Sequence, residues 1–148
     1  TLSVACWRSN CIQLIRVHGS EAPRTVGFLG SGVGQFNFPP DVRFMPDGQH
    51  LVVADDHNNR IQLLALDGSF VRQFGTDTSP RAVAVDAAGN IIATTKKHVK
   101  VFSSEGTLLH DRLGGLEIGK AAEGGVAIDP LTGRIAVGDM ASGRIYLL

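Results

Sequence analysis

Five histidines, two cysteines and one glycine-rich run are the residues of this chain best suited to catalysis or metal binding, and their spacing argues against most such chemistry. His18, His50, His57, His98 and His110 fall among turns and strand ends, with no interval that would set two of them on one metal ion. Cys6 and Cys11 are the only cysteines, and no matching His or second Cys pair completes a four-ligand zinc site. No serine stands in a G-x-S-x-G elbow. Gly30-Ser-Gly-Val-Gly34 has the spacing of a glycine loop, but it lacks the lysine of a P-loop and no helix follows it, so it reads as a connection. The expectation is a protein that carries no chemistry, metal or cofactor of its own.

Binding chemistry is better represented. Trp7-Arg8, Asp56-His57-Asn58-Asn59, Lys96-Lys97-His98 and Met140-Ala141-Ser142-Gly143 occupy equivalent places between two apolar runs, alike in position and unlike in chemistry. A constant frame with variable tips suits recognition. An aromatic ring in a polar loop is costly unless it packs or contacts a partner, which singles out Trp7. Lys96, Lys97, His98 and Lys100 form the densest basic run and would suit phosphate. Lys100 alternates with Val99 and Val101 on a strand, so it is set on a different face from the loop lysines. The binding residues expected are Trp7, Arg8, His57, Asn58, Lys96 and Lys97.

The elements that must position these tips come in copies. Leu2 to Ser20 align without a gap to Leu51 to Ser69, sharing Leu2, Val4, Ala5, Asn10, Ile12, Gln13, Leu14, Gly19 and Ser20. Val42 to Leu64 likewise align to Val126 to Leu148. A repeat of about 40 to 50 residues predicts a solenoid or a propeller. Within a unit the apolar period is two. Asp41–Met45, Leu51–Asp55, Arg60–Leu64 and Phe70–Phe74 read as strands, separated by Pro46-Asp47-Gly48-Gln49, a polar loop and the hairpin pair Asp67-Gly68. Four short antiparallel strands make a propeller blade, and the units span roughly 1–35, 36–75, 76–114 and 115–148.

Two residue pairs bracket the loop between second and third strands. Asp55 with Arg60, and Asp139 with Arg144, set opposite charges across a hairpin and read as structural. Cys6 and Cys11 hold the matching places in the first unit, either as a cross-hairpin disulfide or as two reduced thiols.

Gly34-Gln-Phe-Asn-Phe-Pro39, Pro46-Asp-Gly48, Val53-Ala-Asp55, Asn58-Asn-Arg60-Ile-Gln62 and Asp67-Gly-Ser-Phe-Val-Arg-Gln-Phe-Gly75 resemble the NHL repeat. The second unit matches along almost its whole length, while the third departs with Thr94-Thr95-Lys96 in place of the Ala-Asp pair. The resemblance implies an all-β propeller, often the substrate- or RNA-selecting end of a RING-containing ubiquitin ligase, although no RING, B-box or coiled-coil sequence is present. It implies recognition of a protein partner through the loop face, with single-stranded RNA as the alternative ligand. A second alternative comes from lyases and lactonases of related shape that hold a metal in the central channel. Asp86 and Asp129, at the ends of first strands, are the only residues placed to contribute there, and such residues more often cap turns.

Composition sets outer bounds. In 148 residues, 14 basic and 14 acidic side chains cancel, which argues against a generic polyanion binder; 43% apolar content with 18 glycines describes a turn-rich globular chain. No stretch is long and apolar enough for a membrane helix, and the expected location is cytoplasmic. The first unit lacks its opening strand and the fourth its closing strand. That leaves about fourteen strands in an arc of 3.5 to 4 blades, with three ways to complete the ring: further blades of a longer chain, a second copy, or a compact four-bladed closure in which the N-terminal strands pair with the last unit.

Overall fold

A computed structural model describes residues 1–18, 20–115 and 124–148. Alternating apolar residues place one side of each run against each neighbouring layer, and fourteen strands form among the described residues. The first sheet holds β1 (Leu2–Cys6), β2 (Cys11–Ile15) and β3 (Arg24–Val26). The second holds β4 (Asp41–Phe44), β5 (His50–Asp55), β6 (Arg60–Ala65) and β7 (Phe70–Gly75). The third holds β8 (Pro80–Val85), β9 (Ile91–Thr95), β10 (Val99–Phe102) and β11 (Leu108–His110). The fourth holds β12 (Val126–Ile128), β13 (Ile135–Asp139) and β14 (Arg144–Leu147). Each sheet is an antiparallel meander in chain order.

The register fixes which strand is which. Asp55 stands opposite Arg60 on β5 and β6, Cys6 opposite Cys11 on β1 and β2, and Asp139 opposite Arg144 on β13 and β14. β1 is therefore a second strand and β14 a third, so among the described residues the first sheet has no innermost strand and the last no outermost one. β4 packs beside β8, and β8 beside β12, as an inner row.

Stability comes from the layers between sheets. Leu51 and Val53 point from β5 into the core shared with the first sheet, while Val52 and Ala54 point into the core shared with the third. A further core joins the third and fourth sheets around Val99, Val101 and Val137. Period-two alternation thus serves two cores from one strand, and each sheet is held by its neighbours in sequence.

Antiparallel strands sort the turns onto two ends. The second-to-third strand loops and the connections entering β4 and β8 share one end, which we call the loop face. The first-to-second turns lie at the other, where Asp47, Asp86 and Asp129 each accept backbone hydrogen bonds from the residues that follow. Among the described residues helix is limited to single 3-10 turns, and none is long and apolar enough to cross a membrane.

Candidate functional site

The loop face is built on a repeated backbone. Trp7–Ser9 forms a 3-10 turn closed by Asn10 at φ 55°, and Asp56–Asn58 forms the same turn closed by Asn59 at φ 51°. Asparagine tolerates this left-handed conformation better than most residues, and Gly143 takes it in the last loop. The third loop is shorter. It closes on Thr95, whose Oγ1 accepts hydrogen bonds from the backbone N–H groups of Lys97 and His98.

Beneath the second loop lies a buried polar clamp. Arg60 donates from Nε to Asp55 at 2.7 Å, and its other N–H groups reach the carbonyls of Ser31, Gly32 and Gln35 and the side chain of Gln73. Asp55 Oδ1 accepts from the Asn37 backbone at 2.7 Å, while Oδ2 also accepts from Asn58 and Gln62. Gln62 in turn accepts from Gly34 N and donates to Gln35 O. The glycine-rich run is therefore a strap between the first two sheets, gripped by the Asp55–Arg60 pair. A buried pair is tolerable when its remaining donors and acceptors are satisfied, and here all five guanidinium N–H groups are.

The strap delivers Phe38 to the surface with φ +54°, a left-handed conformation that is an outlier for a bulky residue. Asn10 Oδ1 accepts the Phe38 N–H at 2.8 Å and holds the turn. The Phe38 ring lies between Trp7 and His57, with centroids 5.8 Å and 4.5 Å away and tilts of 44° and 37°. Trp7 is 49% exposed, and the Arg8 guanidinium sits 4.8 Å over its ring. Trp7, Phe38 and His57, with Pro40, Asp56 and Arg81, line a groove of about 380 Å³, within the usual size range of ligand sites.

One polar atom in that groove stands out. Asp56 is buried, its Oδ2 pairs with Arg81 at 2.6 Å, and its Oδ1 has no hydrogen-bond partner among the described residues. A buried acceptor without a donor is rare, because its desolvation goes uncompensated. The groove thus sets an aromatic row over the buried Asp56–Arg81 pair.

The residues expected from sequence divide between groove and frame. Trp7, Arg8 and His57 come together at the groove. Asn58 belongs to the clamp, donating to Gly30 O and Asp55. Lys96 and Lys97 extend from the third loop with exposed side chains, whereas Lys100 is buried on β10 and its Nζ reaches Asp77 at 2.8 Å and Asp111 at 2.6 Å. Cys6 and Cys11 face each other as free thiols, and burial, helped by Cys6, pushes the Cys11 thiol above its ordinary value. Buried Asp139 accepts from Ala141 N and Ser142 Oγ, and Arg144 opposite it is exposed. Asp86 and Asp129 cap turns at the far end, with second oxygens bonded to Asn90 and Thr132. Among the described residues no three His, Cys, Asp or Glu side chains are grouped to hold a metal.

No protein-family model and no curated protein matches the chain. Solved structures do resemble it. One is a gluconolactonase from Xanthomonas campestris, important in glucose secondary metabolic pathways, with 18% identity and a TM-score of 0.61 over 87% of this chain and 41% of that one. Another is the hydrazine synthase of Kuenenia stuttgartiensis, with 17% identity and a TM-score of 0.56 over 73% of this chain and 34% of that one. The fold is a β-propeller, present here in part. The chain spans about two-fifths and one-third of the two chains it resembles, and at this identity the likeness speaks for fold alone.

Sequence reasoning did not single out Phe38, Pro40, Asp56 or Arg81 as site residues. Phe38 carried a faint signal. It precedes β4 by three residues, and in the connection that enters β8 the left-handed residue is Asp77, at φ 60°. An aromatic residue where a turn calls for Asp or Asn suggests that the ring itself is needed.

Proposed function

We propose that this part of a propeller is a non-catalytic recognition scaffold that binds a protein partner through its loop face. The observation that carries the reading is the strained Phe38, which completes the row Trp7–Phe38–His57 beside the buried Asp56–Arg81 pair. Backbone strain of this kind costs on the order of 1–3 kcal/mol, and it persists where the surroundings impose it, commonly at ligand sites. Aromatic rings supply rigid contact area, and half-exposed Trp is the residue type most enriched among interface anchors. The matching partner segment would lay an apolar or planar side chain along the row. The NHL resemblance adds a setting to this proposal, as the substrate-recognising part of a larger ubiquitin-ligase-like protein.

Trp7 is the only tryptophan, so its emission reports on the groove directly. Peptides selected from a random displayed library against this chain are expected to shift that emission, and Phe38→Ala is expected to weaken them by at least about tenfold. Peptides that bind while leaving both Trp7 emission and the Phe38→Ala affinity unchanged would place recognition elsewhere. Single-stranded oligonucleotides are the control for the RNA reading. Retention that Lys96→Glu with Lys97→Glu abolishes would replace the protein partner by RNA.

A further inference from the structure

We infer that Cys6 and Cys11 form a reversible disulfide across the first hairpin, and that its closing retunes the loop-face groove. The bond rests on the register, while its effect on recognition rests on the proposed groove. Cys6 ends β1, Cys11 begins β2, and the two are direct partners in the antiparallel pair. Opposed Cα atoms in such a pair stand about 4.5 or 5.5 Å apart, within the roughly 4.4–6.8 Å that a disulfide spans. No change of register is needed to join them. Both are free thiols, and they are the only cysteines in the chain. At the same places the second and fourth sheets carry Asp55 with Arg60 and Asp139 with Arg144. Those pairs serve the frame, whereas two thiols can be joined and parted.

The neighbours of this pair are the two residues that seat Phe38. Trp7 follows Cys6 and sets its ring 5.8 Å from that of Phe38; Asn10 precedes Cys11, and its Oδ1 accepts the Phe38 N–H at 2.8 Å. Opposed Cβ atoms lie about 4.5–5.5 Å apart, while a disulfide holds them at about 3.5–4.5 Å, so closing the bond draws the strand ends together by roughly 1 Å. Trp7 and Asn10 move with them, and the seat of Phe38 loosens. A ring closed over so few residues also gains little from loop closure, which leaves the bond easy to reduce. The groove is therefore set for its partner when the thiols are free.

The oxidant is a low-molecular-weight disulfide such as oxidised glutathione. Burial, then the charge of Cys6 and a hydrogen bond with it, raise the Cys11 thiol above its ordinary value, so Cys6 is the first to attack. Its thiolate takes one sulfur of the oxidant and releases the other as a thiolate; Cys11 then displaces the bound half, so two protons and two electrons leave the protein and one disulfide is reduced to two thiols. Incubation of the intact chain with excess oxidised glutathione, then denaturation, alkylation and mass spectrometry, should find a species lighter by two hydrogens and closed to alkylation. In that form the Phe38 amide should exchange at least about threefold faster, and peptides whose binding depends on Phe38 should bind at least about threefold more weakly, until dithiothreitol restores both. Cys6→Ser should form no internal bond and keep both readings at their reduced values. A lasting glutathione adduct on one cysteine, or two thiols still open to alkylation, overturns the bond. A bond that leaves Phe38 exchange unchanged overturns its hold on the groove, whereas failure to find any Phe38-dependent peptide overturns the groove reading alone and leaves mass and exchange to decide the rest.

Discussion

The connections entering β4 and β8 each carry one non-glycine residue in the left-handed region and use it for opposite ends. At the second, Asp77 takes φ 60° with a residue type that tolerates it, and its carboxylate pairs with Lys100 on β10 of the blade it enters. At the first, Phe38 takes φ 54° against the preference of its bulk and carries its ring into an exposed aromatic row. The Asp77 turn is explained by scaffold alone, whereas the Phe38 turn has a feature that the scaffold does not require. Comparison of the two connections within one chain thus separates a residue kept for architecture from one kept for contact.

The deepest difference lies below the turns. In the second blade the strap is gripped by a buried arginine whose every N–H is bonded, with the Asp55 side chain fully buried and Arg60 nearly so. In the third the grip is a lysine at the place of Gln62, reaching carboxylates that are themselves largely exposed. Removing one member of a buried pair strands the other, so Arg60→Ala should destabilise the chain by about 3–5 kcal/mol. Lys100→Ala should cost less, about 1–2 kcal/mol, because water can solvate Asp77 and Asp111. Urea unfolding followed by Trp7 emission measures both, and equal losses would mean that the two grips are alike after all.

A sharper form of the comparison transplants one turn into the other. Phe38→Asp gives the first connection the residue of the second. Relief of the left-handed strain is worth about 1 kcal/mol, offset in part by the lost ring contacts, so stability should stay within about 1 kcal/mol of the parent. Partner peptides should nonetheless lose at least about tenfold in affinity. A large stability loss with affinity retained would make Phe38 an architectural residue and remove the argument for the groove.

How much of this was legible in advance follows from range along the chain. The strands and turns of the second blade were readable, since Asp47-Gly48 and Asp67-Gly68 act locally and apolar alternation repeats every second residue. Asp55 and Arg60 were readable as a pair, because they stand opposite in one hairpin. That Arg60 also holds Ser31, Gly32 and Gln35 was not, since those contacts span 25 to 29 residues and leave no periodic trace. Lys100 could be assigned to a strand face, but its burial depended on where Asp77 and Asp111 fall. The strand repeats that revealed the fold stop short of the connections, and the best candidate contact residue lies in one of them.

The weakest expected effect separates the two grips by pH. Arginine as a residue type stays charged across the accessible range, whereas a lysine amine loses its proton at alkaline pH. Burial alone would lower the Lys100 amine, but the hydrogen bonds and charges of Asp111 and Asp77 outweigh that and raise it above the ordinary lysine value. A group whose folded pKa is raised stabilises the fold fully below its unfolded value, and that contribution fades as pH rises through the folded one. The same contact holds Asp111 below the usual carboxylate range, so its share is present above that range and lost as pH falls through the lowered value. Stability measured by urea unfolding should therefore decline at alkaline pH, above the ordinary lysine pKa, by an amount that Lys100→Met removes. An alkaline decline of the same size in Lys100→Met would assign that limb to other groups and leave Lys100 as a packing residue with an incidental charge.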